Sequence, residues 1–126
     1  MRIPCLLIGV FALLLATLSG DEPASATAEG EALYKAQCQV CHTIEKGGEK
    51  RQGPNLWAVI GRTAGSIDGF PYSNGLKAAQ WAWNLAKLDD WLRDPHSVFD
   101  DTYMMFKQKN PEIRAKIIAF MATKAD

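Results

Sequence analysis

The five residues CQVCH, from Cys38 to His42, hold the side chains of this chain that are most able to do chemistry. Two thiols separated by two residues could form a redox dithiol, a structural disulfide or half of a zinc site. The histidine that follows at once favours a fourth chemistry, because C-x-x-C-H is the attachment motif of c-type haem. There, each thiol adds to one haem vinyl group, and the adjacent imidazole binds the iron.

The other three chemistries fit the rest of the chain less well. A thioredoxin-like dithiol belongs to a strand-rich α/β fold, and this sequence lacks alternating valine- and isoleucine-rich runs. A zinc site needs four ligands, but the two cysteines and two histidines that follow residue 26 are poorly spaced for one. A structural disulfide would leave His42 without a role. The motif therefore predicts covalent haem.

A haem iron bound by His42 has a second axial position that a further side chain could fill. The candidates are Met104, Met105, Met121 and His96. Met121 falls on the apolar stripe of a predicted helix, which favours a place in the core, and His96 falls in a predicted turn. Met104 and Met105 lie in a predicted loop that could present a thioether to the metal. We therefore expect the second ligand to come from this loop.

The first 26 residues have the pattern of a secretory signal peptide. A basic start precedes an apolar run at residues 6–18, which is shorter than the roughly 20 residues that span a membrane. Small residues at Ala24 and Ala26 predict cleavage after Ala26, with Gly20 as the alternative. The short run argues against an uncleaved anchor, and Cys5 would leave with the signal. Export would expose the remaining cysteines to an oxidising compartment, where they pair unless something occupies them.

Composition predicts one small domain at residues 27–126. The chain has 126 residues, 22% charged and 48% hydrophobic, and about 100 residues suffice for one modest core. Removing one basic residue (Arg2) and two acidic ones (Asp21 and Glu22) changes the formal charge from 0 to +1. No strongly basic surface is expected, so nucleic acid is not an expected partner.

Periodicity and capping signals predict an all-α domain. The first main helix is expected at residues 29–40, the second begins after Asn84 and stops at Pro95, and the third begins with Asn110 as its cap. A short helix is expected at about residues 73–80, and residues 95–108 are expected to form a loop. Because long loops in a compact domain are usually functional, we expect a group bound among them.

These motifs together resemble the small soluble class I cytochromes c of mitochondria and α-proteobacteria. The resemblance covers nearly all of residues 29–124 and needs no gap between Gly30 and Phe106. Gly30 and Tyr34 match the first-helix residues that pack against the last helix in the family. The resemblance implies a cytochrome c fold, with three main helices, short helices and long loops wrapped around one covalently bound haem.

The resemblance also assigns the residues of the haem site. Cys38 and Cys41 would form the thioethers, and His42 and Met104 would be the axial ligands of the iron. The carbonyl of Pro54 would accept a hydrogen bond from His42 and fix its tautomer. The remaining assignments are Arg62, Tyr72 and Trp83 at the propionates, and Trp91, Thr102 and Phe106 around Met104 and the exposed haem edge.

Some positions depart from the family pattern. Asp100 and Asp101 replace a Pro-Gly pair, Trp91 replaces a tyrosine near the methionine sulfur, and Leu76 replaces an asparagine. Trp91 and Leu76 predict a drier pocket beside Met104, which raises the reduction potential. Loss of the Pro-Gly pair predicts a looser methionine loop.

The resemblance implies a monomeric one-electron carrier of the periplasm that is not an enzyme and has no stable membrane insertion. Histidine and methionine together fill both axial positions and leave none for a substrate. Expected partners are redox proteins: a terminal oxidase, a quinol-oxidising complex of a respiratory chain, a photosynthetic reaction centre or a periplasmic dehydrogenase. Because His96 and Gln108 stand where lysine is common, one alternative is a dedicated acceptor of one dehydrogenase, docked by a neutral surface. The other alternative is a peroxidase-like enzyme, which would require Met104 to dissociate from the iron.

Overall fold

The computed structural model describes residues 23–126, so the basic start, the apolar run and the Gly20 cleavage site lie outside the described part. Five helices follow in chain order: α1 (Pro23–Gln37), α2 (Asn74–Ala78), α3 (Leu85–Arg93), α4 (Pro95–Val98) and α5 (Pro111–Ala122). Over residues 23–126 the strand-type pairing is limited to one isolated antiparallel bridge, between Thr63 and Ala82. The predicted all-α class is confirmed.

The first helix has other bounds than those predicted. It begins at Pro23, not at residue 29, because its first turns are rich in alanine, the best helix former. It ends at Gln37, not at residue 40, so the cysteine motif lies in a turn. In that turn the N–H of His42 donates to the carbonyl of Cys38 at 3.0 Å.

The prediction of an uninterrupted loop at residues 95–108 is wrong at its start, where α4 lies. Asp94 caps this helix by accepting the His96 N–H at 3.1 Å, and Pro95 occupies its first position, where a missing N–H has no cost. Four residues are too few for an apolar period, so only the capping signal could have revealed α4.

Helices α1 and α3 both pack on α5 and close the core. A Cβ on Gly30 would collide with the carbonyl of Lys116, and the rings of Tyr34 and Phe120 lie 5.4 Å apart, so the predicted packing of first on last helix is confirmed. Helix α3 is joined to α5 by the buried Arg114, whose Nε donates to Asp89 Oδ1 at 2.7 Å. The loops that connect the helices enclose a cavity beside this core.

Between residues 23 and 126, none of the helices combines the length and the apolar character that a membrane crossing requires.

Candidate functional site

The long loops and α3 surround a cavity of about 500 Å³. Every residue that the resemblance assigned to the haem site lines it: Cys38, Cys41, His42, Pro54, Arg62, Tyr72, Trp83, Trp91, Thr102, Met104 and Phe106. The remaining wall is mainly apolar and includes Leu56, Val59, Leu88 and Leu92. The fold therefore brings together side chains that are up to 68 positions apart, from Cys38 to Phe106.

His42 is held in one orientation by its neighbours. Its Nδ1 lies 2.7 Å from the carbonyl oxygen of Pro54, so Nδ1 carries the proton and Nε2 keeps the lone pair that a metal needs. Burial lowers the pKa of His42 and the nearby charge of Arg62 acts in the same direction, while the hydrogen bond to Pro54 opposes them. A neutral imidazole with a free Nε2 is the form that binds iron.

Gly53 is a site residue that the sequence did not single out. A Cβ at this position would collide with the ring of His42, so only glycine lets the backbone lie against the imidazole. The sequence signal was the glycine directly before Pro54, but a loop glycine has many possible causes.

The two thiols of the motif lie in the cavity wall and are not joined by a disulfide. Cys38 is buried, which raises the pKa of its thiol to about 11, with the neighbouring Cys41 adding to the effect. Within the described part of the chain, no three histidine, cysteine, aspartate or glutamate side chains come close enough to hold a metal ion. Among residues 23–126 the zinc alternative thus finds no set of ligands.

Met104 is held by a donor from α3. The indole N–H of the buried Trp91 donates to Met104 Sδ at 3.1 Å. The hydroxyl of Thr102, also buried, accepts the backbone N–H of Met104 at 3.4 Å. Among the other candidates, Met105 is 75% exposed and Met121 is buried in the core at the cavity wall. His96 lies outside the lining.

Arg62, Tyr72 and Trp83 give the cavity the chemistry of a carboxylate site. Arg62 donates to the carbonyls of Trp57 and Asn55, both at 2.9 Å, and forms no ion pair with any residue from 23 to 126. The hydroxyl of Tyr72 accepts a backbone N–H at 3.3 Å and keeps its own hydrogen to donate. Haem has two carboxylates, the propionates, so this uncompensated charge fits the expected group.

Comparison with known proteins gives the same family throughout. The cytochrome c family profile matches residues 27–125. Cytochrome c of Chlamydomonas reinhardtii is 39% identical over 102 residues, covering 80% of this chain and 91% of that protein. Cytochrome c2 of Rhodomicrobium vannielii is 41% identical over 96 residues, covering 75% and 76%. Cytochrome c-550 of Novispirillum itersonii is 39% identical over 97 residues, covering 68% and 87%.

The matched region contains the whole cavity wall, and the donor set of that wall suits a porphyrin bound through two sulfurs. The chain belongs to the cytochrome c family, and it is a one-electron carrier whose cofactor is covalently bound haem c.

Proposed function

We propose that His42 and Met104 are the two axial ligands of the haem iron and that Cys38 and Cys41 form the thioether bonds. The observation that carries this proposal is the pair of contacts in one cavity: Pro54 orients the imidazole of His42, and Trp91 donates to the sulfur of Met104. The bound haem supplies a reversible one-electron couple. The chain supplies two fixed ligands, so little has to move when the electron arrives or leaves.

The wall residues also set the balance between the two oxidation states. A thioether ligand is soft and favours ferrous iron, which raises the potential of a haem with histidine and methionine ligands. The charge of Arg62 would offset that of the haem propionates, and Tyr72 and Trp83 would donate hydrogen bonds to them. Phe106 is half-buried at the cavity wall, where it would cover the haem edge that faces a redox partner.

Two neighbouring methionines allow a matched test of the axial assignment. The Met104→Ala holoprotein is expected to lose the far-red sulfur-to-iron absorption band, and Met105→Ala is expected to keep it, since Met105 points largely to solvent. Loss of the band in Met105→Ala with retention in Met104→Ala would reverse the assignment. A high-spin ferric spectrum in the resting protein would favour the peroxidase-like alternative, which requires Met104 to leave the iron.

We further propose export to the periplasm with cleavage after Ala26. The basic start, the short apolar run and the Ala-x-Ala pattern support this, as does the presence of bacterial cytochromes c2 and c-550 among the relatives. Ala24 and Ala26 are both exposed in α1. Amino-terminal sequencing of protein from the periplasmic fraction is expected to begin at Thr27. A start at Asp21, or a chain that keeps residues 1–26, would contradict the proposed site.

A dedicated redox partner that docks through an uncharged surface is the second candidate. Tyr103 and Met105, which line the cavity, are 72% and 75% exposed and offer apolar contact where a charged ring would steer by attraction. Because salt screens charge pairs over about 8–10 Å, electron transfer to such a partner should change little with ionic strength. A steep fall in rate with added salt would favour a carrier that serves several oppositely charged partners.

A further inference from the structure

The turn that leads to Met104 is tied to α2 by a contact that the sequence did not predict. Asp101 Oδ2 accepts the backbone N–H of Gly75 at 2.9 Å, across 26 positions of the chain. Gly75 is the second residue of α2, and the buried Ser73 caps this helix. The contact therefore anchors a surface loop to a separate element of the fold.

Gly75 is needed for this close approach. A Cβ there would lie 2.7 Å from Asp101 Oδ1 and 2.7 Å from Phe99 Cδ1, both closer than real Cβ contacts. The backbone of Gly75 is not in the left-handed region, so conformational freedom does not explain the glycine. The missing side chain is what lets residues 99–101 lie against α2.

Two hydrogen bonds made by Thr102 connect the anchored turn to Met104. The N–H of Thr102 donates to the carbonyl of Phe99 at 3.2 Å, and the hydroxyl of Thr102 accepts the Met104 N–H at 3.4 Å. The ring of Phe99 also packs edge-on against Trp91, which holds the sulfur. A change in the position of Asp101 would thus be transmitted to Met104.

We propose that Asp101 is a positioning residue for Met104. Its carboxylate, held by Gly75, keeps the turn closed and replaces the Pro-Gly constraint whose loss suggested a looser loop. This role rests on the proposed axial ligation by Met104. Asp100 has no such role, because its exposed side chain forms no hydrogen bond or ion pair with the described residues.

Imidazole binding to the ferric holoprotein measures how often the loop opens. Added imidazole binds the iron only when Met104 has left, so its apparent affinity scales with the open fraction. Loss of one hydrogen bond should make Asp101→Ala bind imidazole about three- to tenfold more tightly than the wild type. Asp100→Ala should match the wild type. Asp101→Asn, whose side-chain carbonyl can still accept from Gly75, should restore affinity to within about twofold.

Gly75→Ala gives an independent test from the other side of the contact. Alanine is a better helix former than glycine, yet it should weaken the anchor and tighten imidazole binding as Asp101→Ala does. If the Asp101→Ala variant cannot be produced with bound haem, the comparison of Gly75→Ala with Asp101→Asn tests the role of Asp101.

The outcomes separate this role from the ligand assignment. A far-red band in the wild type that disappears in Met104→Ala supports the ligation itself. Its absence from the wild type refutes the ligation and the role of Asp101 with it. If the band is present but Asp101→Ala and Gly75→Ala bind imidazole no more tightly than Asp100→Ala, the role of Asp101 alone is refuted.

Discussion

The hydrogen bond from Trp91 to the sulfur of Met104 should raise the reduction potential of the haem. The N–H draws electron density from the sulfur of the proposed ligand, so less density reaches the iron, and the more electron-poor ferric state loses more stabilisation than the ferrous state. Trp91 is 7% exposed, and its contact with Sδ is 3.1 Å. In such a dry environment the effect of one dipole is large. Trp91→Phe removes the donor and keeps an aromatic ring.

The size of the effect follows from the strength of one hydrogen bond. A net value of about 1 kcal/mol, acting fully on one oxidation state, corresponds to about 40 mV for a one-electron couple, at about 59 mV for each tenfold change. The bond acts on both states to different degrees, so we expect Trp91→Phe to lower the potential by about 20–40 mV. A spectroelectrochemical titration of the holoprotein measures this shift directly.

Trp81 provides the matched control. It belongs to the same aromatic cluster, 4.8 Å from the ring of Trp83, but it does not line the cavity. Trp81→Phe should therefore leave the potential within about 10 mV of the wild type, a small fraction of the 59 mV per tenfold change. Trp91→Tyr, which regains a donor, should recover part of the loss. A Trp91→Phe potential equal to that of Trp81→Phe, or higher, would refute the reasoning.

Two further predictions concern the contacts of α5. Gly30→Ala should lower the free energy of unfolding by about 1–3 kcal/mol, because its Cβ would collide with the Lys116 carbonyl; an unchanged guanidinium midpoint would contradict this. The hydrogen bond from Arg114 lowers the pKa of Asp89 below its ordinary 3.8. The stability from this pair is thus complete above about pH 4 and is lost as the pH falls through the lowered value. The stability difference between the wild type and Asp89→Asn should narrow from pH 6 to pH 3, and a constant difference would count against it.

Much of this fold could be predicted because its signals are local. Asn84 and Asn110 were both expected as helix caps, and each is one: Asn84 accepts the N–H of Lys87 at 2.8 Å, and Asn110 accepts that of Glu112 at 2.9 Å. A side chain that bonds to a backbone group two or three residues away leaves its mark in a short stretch of sequence. The CQVCH motif is likewise contained in five consecutive residues, so it can be recognised without the fold.

The missed features depend on contacts between distant parts of the chain. Gly53 resembles an ordinary loop glycine, and Gly75 an ordinary glycine of a short predicted helix, until the structure places His42 and Asp101 against them. The loop was expected to be looser without its Pro-Gly pair, and the anchor to α2 escaped prediction because 26 positions separate its two ends. A sequence gives the types of these residues, but only the folded backbone gives their neighbours.

The early start of α1 has a consequence for how this protein is made. The helix begins at Pro23, ahead of the proposed cut after Ala26, and residues 24–29 are exposed or half-buried, whereas Gly30 is buried at the crossing with α5. A signal peptidase that cuts after Ala26 would remove the exposed residues 24–26 from α1 and leave that crossing intact. Signal-peptide cleavage and folding would then be independent of each other. A cut a few residues away from Ala26 would leave the fold of the mature protein unchanged.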